Sequence, residues 1–264
     1  MAAATQAVPA FGHVFLIIGE NTDYTHVNTT NAPYLMTKVR PRSAWLENYY
    51  AAAHWSQATL ALVTGQFNTC QQHDGGIACH HNVDNLYHRM DAAGLSWKVW
   101  LGAGTARCDT GAGGSCSSNT ACPLSGFYTT GNPPILFDDI EGPNGIWSDH
   151  TIKRMPRQRH TGWHAVRWNV QVNAALTTGN VARFNTVIPN GCDDGEANCS
   201  PVHNRYTQFD NFLAREVPRI EASSAFGPNG VIIILYDEAQ RMGGMAPKNG
   251  LGQGGHTVCA ISAA

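Results

Sequence analysis

Two short apolar segments, each followed by a pair of oxygen-bearing polar residues, constrain the fold of this chain more than any other feature of its sequence. The first is 13–18 (HVFLII), which ends at Gly19, and the second is 231–236 (VIIILY). Continuous β-branched runs of this length are typical of buried strands in a parallel sheet. Both are far shorter than the ~20 apolar residues that a membrane-spanning helix needs.

Helical patterns alternate with the strand-like segments along the chain. The predicted strands are 13–18, 45–51, 96–101, 231–236 and 257–262, and the predicted helices are 34–39, 56–64, 82–93 and 206–220. This alternation predicts an α/β fold in which helices flank a mostly parallel central sheet on both faces. We interpret 1–264 as a single domain with a Cys- and Gly-rich loop insertion over 102–150.

The cysteines indicate an oxidising compartment, because seven of the eight lie in Gly-, Ser-, Asn- or Asp-rich segments that are typical of loops. We expect local disulfides 70–79 and 192–199, a third pair from 108, 116 and 122, and a buried free thiol at Cys259. A zinc site is the alternative, but the chain has no C-x-x-C pair. We therefore predict a secreted or periplasmic protein. No signal peptide is visible, and Met1-Ala2-Ala3-Ala4 is interpreted as an initiating segment before a mature secreted chain.

The charge and the aromatic content exclude other classes of protein. The 17 Lys and Arg against 19 Asp and Glu give a formal charge of −2, without the basic field that nucleic-acid binding requires. Seven Trp, eight Tyr and nine Phe exclude an intrinsically disordered chain.

Polar residues follow the two defining strands directly. Glu20 and Asn21 follow the first, and Asp237 and Glu238 follow the other. Since ligands bind at the carboxyl ends of strands in open α/β sheets, three carboxylates and one amide oxygen at this edge predict a site for a divalent cation. In the alternative interpretation Asp237 caps a turn, Glu238 is solvated, and Glu20 and Asn21 only begin a loop.

The candidate nucleophile is Ser56, at the start of the predicted helix 56–64. The free backbone N–H groups of a helix N-terminus hold an incoming phosphate, and a bound metal would lower the pKa of the hydroxyl. The alternative role is an ordinary helix N-cap.

The sequence resembles the phosphoesterase family of the alkaline-phosphatase superfamily, which contains bacterial acid phosphatases and phospholipases C. The resemblance lies in the order of its segments rather than in any single motif. These segments are 13–24, 31–35, 48–50, 54–65, 91–100, 231–238 and 254–262.

The resemblance implies that Glu20, Asn21, Asp237 and Glu238 hold a divalent metal and that Ser56 forms a phosphoseryl intermediate. It also implies that substrate is contacted by His54, Thr59 and His256.

The sequence departs from the family pattern at four places. The usual Ser-x-Pro-Asn core reads Ser56-Gln57-Ala58-Thr59, and the usual His-Asn-Pro reads Gly131-Asn132-Pro133. Glu196 stands where a histidine is expected, and the chain stops at Ala264, before a His-containing tail.

Together these features predict a secreted, metal-dependent phosphoric ester hydrolase. It would be a phosphatase or a phospholipase C-like phosphodiesterase acting on a small-molecule or lipid phosphate ester. Oxygen ligands suit Ca, Mg, Mn and Zn alike, so the metal stays open. The alternatives are a non-catalytic binding module on a degraded phosphatase scaffold and a fragment that needs its missing tail.

Overall fold

The computed structural model describes residues 10–52, 54, 56, 83–102, 137, 166–167, 172–240 and 254–264. Its strands are β1 (Val14–Gly19), β2 (Ala44–Leu46), β3 (Trp97–Leu101), β4 (Val166–Arg167), β5 (Phe184–Ile188), β6 (Val231–Tyr236) and β7 (Cys259–Ala263).

These strands form one sheet in the order β2-β7-β6-β1-β5-β3-β4. The pairs from β6 through to β4 are all parallel, whereas β7 runs antiparallel to β6 and β2 antiparallel to β7. The predicted α/β class with a mostly parallel sheet is therefore confirmed.

Three α-helices lie in the described part of the chain. They are α1 (Leu86–Ala92), α2 (Asn173–Thr178) and α3 (Arg205–Glu221). Shorter helical turns cover Tyr24–His26, Leu35–Val39 and Arg40–Arg42, of which Leu35–Val39 is a π-helix. The carboxylate of Asp210 on α3 fixes this π-helix, because it accepts hydrogen bonds from the backbone N–H groups of Tyr34 and Leu35.

The core lies on both faces of the sheet because successive side chains of a strand point to opposite sides. Phe15 and Ile17 of β1 belong to a cluster that includes Phe209 and Phe212 of α3. Leu16 and Ile18 belong to a second cluster that includes Tyr87 of α1 and Trp97 of β3. Since both of its faces are buried, β1 is apolar along nearly its whole length.

Most of the predicted elements are confirmed, but two bounds were wrong. The strand predicted over 45–51 is only Ala44–Leu46, because the chain turns away after this edge strand and Tyr50 forms an isolated bridge with His256. The helix predicted from 82 begins at Leu86, because the Asn85 side chain accepts a hydrogen bond from the backbone N–H of His88 and caps it there. Val83 consequently precedes the helix and is exposed.

One central strand, β5, was not predicted from the sequence. It lies between β1 and β3, and all five of its residues are buried. Asn185 and Thr186 interrupt its apolar pattern, because their polar groups are satisfied inside the protein rather than by water. Trp100 donates to the Asn185 side chain.

The expected disulfide Cys192–Cys199 is present, and Cys259 is a buried free thiol. The predicted pair 70–79, the pair from 108, 116 and 122, and the insertion 102–150 apart from residues 102 and 137 lie outside the described residues. Among the helices of the described segments, none has the length and apolar character needed to cross a membrane.

Candidate active site

The register of the sheet brings together the four predicted metal-binding residues. Gly19 of β1 pairs with Tyr236 of β6, so Glu20 and Asp237 leave the sheet at the same level. The backbone N–H of Asp237 donates to Gly19 O at 2.9 Å, and that of Thr22 donates to Glu238 O at 2.9 Å. These backbone hydrogen bonds join the segment that follows β1 to the segment that follows β6.

Asn21 lies at the centre of this edge. Its backbone φ is 35°, a conformation that asparagine tolerates better than most residues. The backbone N–H donates to Asp237 Oδ1 at 3.1 Å, and Nδ2 donates to Glu20 Oε2 at 3.1 Å and to Glu196 Oε2 at 3.0 Å. The asparagine therefore connects three carboxylates.

Ser56 has a helical backbone and is 9% exposed. Its Oγ lies 2.9 Å from Glu20 Oε2 and 3.4 Å from Glu238 Oε1. The structure thus places the candidate nucleophile against the carboxylates that follow both strands. The rest of its predicted helix, including Thr59, lies outside the described residues.

His54 contacts the same group of residues. Its Nδ1 pairs with Glu238 Oε2, and the Glu238 side chain is almost wholly buried. A carboxylate on one ring nitrogen fixes the tautomer and the orientation of an imidazole.

His256, by contrast, has its contacts elsewhere. The ring is stacked between Tyr24 at 4.2 Å and Tyr50 at 4.8 Å, and Nε2 lies 2.8 Å from Glu47 O. The backbone O of His256 accepts from the N–H of Tyr24. These contacts give the imidazole a structural position beside the loop that follows β1.

Two further acids, Asp194 and Glu196, join the site from the loop after the unpredicted strand β5. The N–H of Glu20 donates to Asp194 O at 2.8 Å, and Asp194 is 3% exposed. Gly195 has a φ of 102°, and a Cβ there would lie 3.1 Å from Glu20 O, so the close approach of the loop requires glycine. We call Glu20, Asp194, Glu196, Asp237 and Glu238 the carboxylate cluster.

Sequence reasoning missed Asp194 because the strand before it was missed. The available signal was the β-branched end of β5 followed by Pro189 and Asn190. The same rule that selected Glu20 and Asp237 would have selected the acids of this loop.

Burial and mutual repulsion raise the pKa values of three members of the cluster, Glu20, Asp194 and Asp237. The pKa of Glu20 is well above its usual range because of burial and then the charge of Asp237. Burial and the neighbouring Glu238 raise the pKa of Asp237, and burial and Glu20 raise that of Asp194. Each ionised carboxylate among these acids therefore disfavours ionisation of its neighbours.

Within the described residues, three of the five carboxylates have no positively charged partner. Asp237 is 0% exposed, and its Oδ2 has no hydrogen-bond partner in this part of the chain. Glu196 Oε2 lies 3.9 Å from Arg205 Nη1, but Glu20, Asp194 and Asp237 form no ion pair with any described residue. An unpartnered buried oxygen among like charges fits a hard cation that takes oxygen ligands.

The side chains are not, however, arranged around one point. Among the residues that the structure describes, no group of three or more His, Cys, Asp and Glu side chains has the spacing of a metal site. Asn21 presents its amide nitrogen, not its oxygen, to Glu20 and Glu196. A half-turn of this amide would turn the oxygen towards the carboxylates, so the donor set fits a cation chemically.

No protein-family model matches the sequence. Over 132 residues the chain is 30% identical to a probable acid phosphatase from Kluyveromyces lactis. This match covers 50% of this chain and 30% of that protein. The match therefore spans less than a third of the length of this curated relative.

Solved structures give the fold. A protein in the alkaline phosphatase superfamily from Vibrio parahaemolyticus superposes with a TM-score of 0.54 at 10% identity, over 97% of this chain and 61% of that one. An alkaline phosphatase from the Antarctic bacterium TAB5 gives a TM-score of 0.48 at 9% identity, over 97% and 92%. The first of these superpositions gives the chain an alkaline-phosphatase-like α/β fold, and the resemblance predicted from the sequence is confirmed at the level of the fold.

Proposed function

We propose that this chain is a metal-dependent phosphoric ester hydrolase whose nucleophile is Ser56. The observation that supports this proposal best is the 2.9 Å contact between Ser56 Oγ and Glu20 Oε2 inside a cluster of carboxylates. A serine hydroxyl next to a carboxylate of raised pKa has a proton acceptor at hydrogen-bond distance. The probable acid phosphatase relative supports the same class of reaction.

Ser56 Oγ would attack phosphorus, and its proton would pass to Glu20. The bond from phosphorus to the ester oxygen breaks, and the leaving oxygen takes a proton from His54, which Glu238 holds in place. Water then attacks the phosphoserine and gives its proton to His54, and Glu20 returns a proton to Ser56. This sequence balances the protons and leaves the enzyme unchanged.

Glu20, Asn21, Asp237 and Glu238 would hold the divalent cation. When bound, the cation withdraws charge from the phosphoryl oxygens and lowers the pKa of the serine hydroxyl. The carboxylates also fix Ser56, since Glu20 and Glu238 contact its Oγ from two sides. Asn21 fixes Glu20 and Asp237 relative to one another.

We further propose an extracytoplasmic location and a small-molecule or lipid phosphate ester as substrate. The Cys192–Cys199 disulfide supports the location, because such bonds persist in oxidising compartments. Turnover of a phosphate monoester, a diester and a phospholipid, each measured separately, distinguishes phosphatase from phospholipase C-like activity.

Ser56→Ala tests the proposal. We expect the chelator-treated protein to regain turnover of p-nitrophenyl phosphate or its diester with Mn²⁺, Zn²⁺, Mg²⁺ or Ca²⁺. The variant should lose this activity by at least ~10³-fold, because the nucleophile is gone. Mass spectrometry of acid-quenched wild type should find a phosphate on the peptide that contains Ser56.

The matched control is Ser223→Ala, which removes a hydroxyl at the far end of α3, where it donates to Ile220 O. This control should hydrolyse the ester normally. Equal turnover by Ser56→Ala and wild type would overturn the assignment of the nucleophile. A wild-type chain that hydrolyses no ester but binds a polymer or lipid surface would instead favour the non-catalytic binding module.

A further inference from the structure

The segment 192–199 is built as a rigid part of the site. The Cys192–Cys199 disulfide closes it, and Gln208 of α3, itself 6% exposed, is hydrogen-bonded to its backbone. Gln208 Nε2 donates to Cys192 O and, at 3.0 Å, to Ala197 O, while its Oε1 accepts from the N–H of Cys199 at 2.9 Å. The position of Glu196 within this loop is therefore fixed by three separate attachments and one covalent bond.

Arg205, the first residue of α3, joins this loop to the loop after β1. Its Nη2 donates to Asn21 O at 2.9 Å, and its Nη1 donates to Glu196 O at 3.3 Å. The side chain is only 14% exposed. One guanidinium thus sets the distance between the backbone of Asn21 and the backbone of Glu196.

The Glu196 carboxylate shares the Asn21 amide with Glu20. Nδ2 lies 3.1 Å from Glu20 Oε2 and 3.0 Å from Glu196 Oε2, so the two carboxylates face each other across one –NH₂ group. The backbone N–H of the same asparagine donates to Asp237, whose other oxygen is buried and unpartnered among the described residues. With the Asn21 amide turned over, its oxygen would lie where Nδ2 lies now, beside both carboxylates, and such oxygens are the ligands that a hard cation takes.

We infer that Glu196 is an additional oxygen ligand of the cation site and that Arg205 is a positioning residue for it. This inference rests on the proposed function for the cation, and it adds a ligand that the two strand ends do not supply. Arg205 Nη1 lies 3.9 Å from Glu196 Oε2 and offsets one negative charge at the rim of the site. The other role open to Glu196 is purely structural, as an acceptor for Asn21.

Glu196→Gln separates the two roles, because glutamine keeps an acceptor for Asn21 but loses the charge. Titration of the chelator-treated protein with Mn²⁺, Ca²⁺ or Mg²⁺ in a calorimeter should give a dissociation constant at least ~10-fold weaker than that of wild type. The matched control is Asp193→Asn on the same loop, which contacts Arg215 and Asn190. Its cation affinity should stay within about twofold of wild type.

The number of waters on a bound ion distinguishes ligation from simple attraction between charges. Tb³⁺ luminescence lifetimes in H₂O and D₂O should show about one more coordinated water in Glu196→Ala than in wild type. Arg205→Lys should weaken cation binding in the same direction but by less, since lysine keeps the charge and loses the forked contact. Thermal melting without cation shows whether each variant is folded, and Glu196→Asp replaces any variant that is not.

The outcomes separate this inference from the proposed hydrolase. Unchanged cation affinity and hydration in the Glu196 variants would overturn the inference even if Ser56-dependent turnover is intact. Weaker binding with one added water would support it even if wild type hydrolyses no ester. Failure of wild type to bind Mn²⁺, Ca²⁺, Mg²⁺ and Tb³⁺ would overturn the inference directly.

Discussion

The polar side chain of Asn185 on β5 and the carboxylate cluster beyond the strand ends differ in the partners of their polar atoms. Asn185 on β5 is 0% exposed, and its Nδ2 donates to Ala182 O at 2.6 Å and Val14 O at 3.2 Å. Its Oδ1 accepts from Trp100 Nε1 at 2.9 Å. Each polar atom of this side chain has a partner of the complementary kind.

The carboxylate cluster places like charges together instead. Glu20, Asp194 and Asp237 raise one another's pKa values or are raised by their acidic neighbours, and Asp237 Oδ2 is unpartnered among described residues. A satisfied network such as that of Asn185 rigidifies a fold, whereas a group that is unfavourable in the folded state points to a function. Asn185 therefore has the properties of a structural polar residue, whereas the carboxylate cluster has those expected of a functional site.

The largest expected effect is on catalysis by Asp237→Asn. Asparagine can still accept from Asn21 and Glu238 through Oδ1, so the fold should persist, but the cation loses a charged ligand. We expect kcat/KM for a phosphate ester to fall by ~10²-fold or more, measured at saturating cation. Glu221→Gln, an acid paired with Arg42 at the other end of α3, should leave kcat/KM unchanged. Equal losses in both variants would show that Asp237 has no specific role in catalysis.

The next effect is on stability, at the satisfied network. Asn185→Leu removes the acceptor of Trp100 Nε1 and the side-chain donor to the Ala182 and Val14 carbonyls, so denaturant unfolding should show a loss of about 3 kcal/mol. Asn28→Ala, at a half-buried turn where the side chain accepts from the N–H groups of Thr30 and Asn31, should cost about 1 kcal/mol. A loss at Asn185 no larger than that at Asn28 would mean that the network contributes little to stability.

The smallest expected effect is the pH dependence of the cation-free protein. Because the folded-state pKa values of Glu20 and Asp237 lie well above the usual values of these carboxyls, the folded chain binds more protons than the unfolded chain once the pH passes those usual values. Their contribution to stability is present at low pH and is lost as pH rises through the raised pKa values. The cation-free Tm should therefore contain a component that falls as the pH rises above the ordinary carboxyl range.

Asp237→Asn isolates that component, since it removes one of the repelling charges. The difference in Tm between the variant and wild type should be larger at pH 7.5 than at pH 5.5, with the variant the more stable protein without cation. Added Ca²⁺ or Mg²⁺ should shrink the difference by stabilising wild type. A difference that is independent of pH would show that the carboxylates do not repel one another in the folded chain.

Local patterns were sufficient to predict β1, β6 and α3, because their apolar residues are consecutive or follow a helical period. They were also sufficient to predict that Glu20 and Asp237 would lie close together, because the end of a buried strand is visible in the sequence. The strand β5 was missed for the converse reason, since Asn185 and Thr186 are buried polar residues whose partners are distant in sequence. Asp194 was lost with it, and Glu196 was noted only as a departure from the family pattern, not as a site residue.

The sequence alone determined the layered α/β class, the Cys192–Cys199 loop and the acids at two strand ends, because all three depend on residues that are neighbours along the chain. Only the tertiary structure decided which carboxylates face Ser56, that Asn21 bridges Glu20 and Glu196, and that His256 stacks between two tyrosines. Those contacts join residues as far as 232 positions apart. Their geometry follows from strand order and register, which no local pattern encodes.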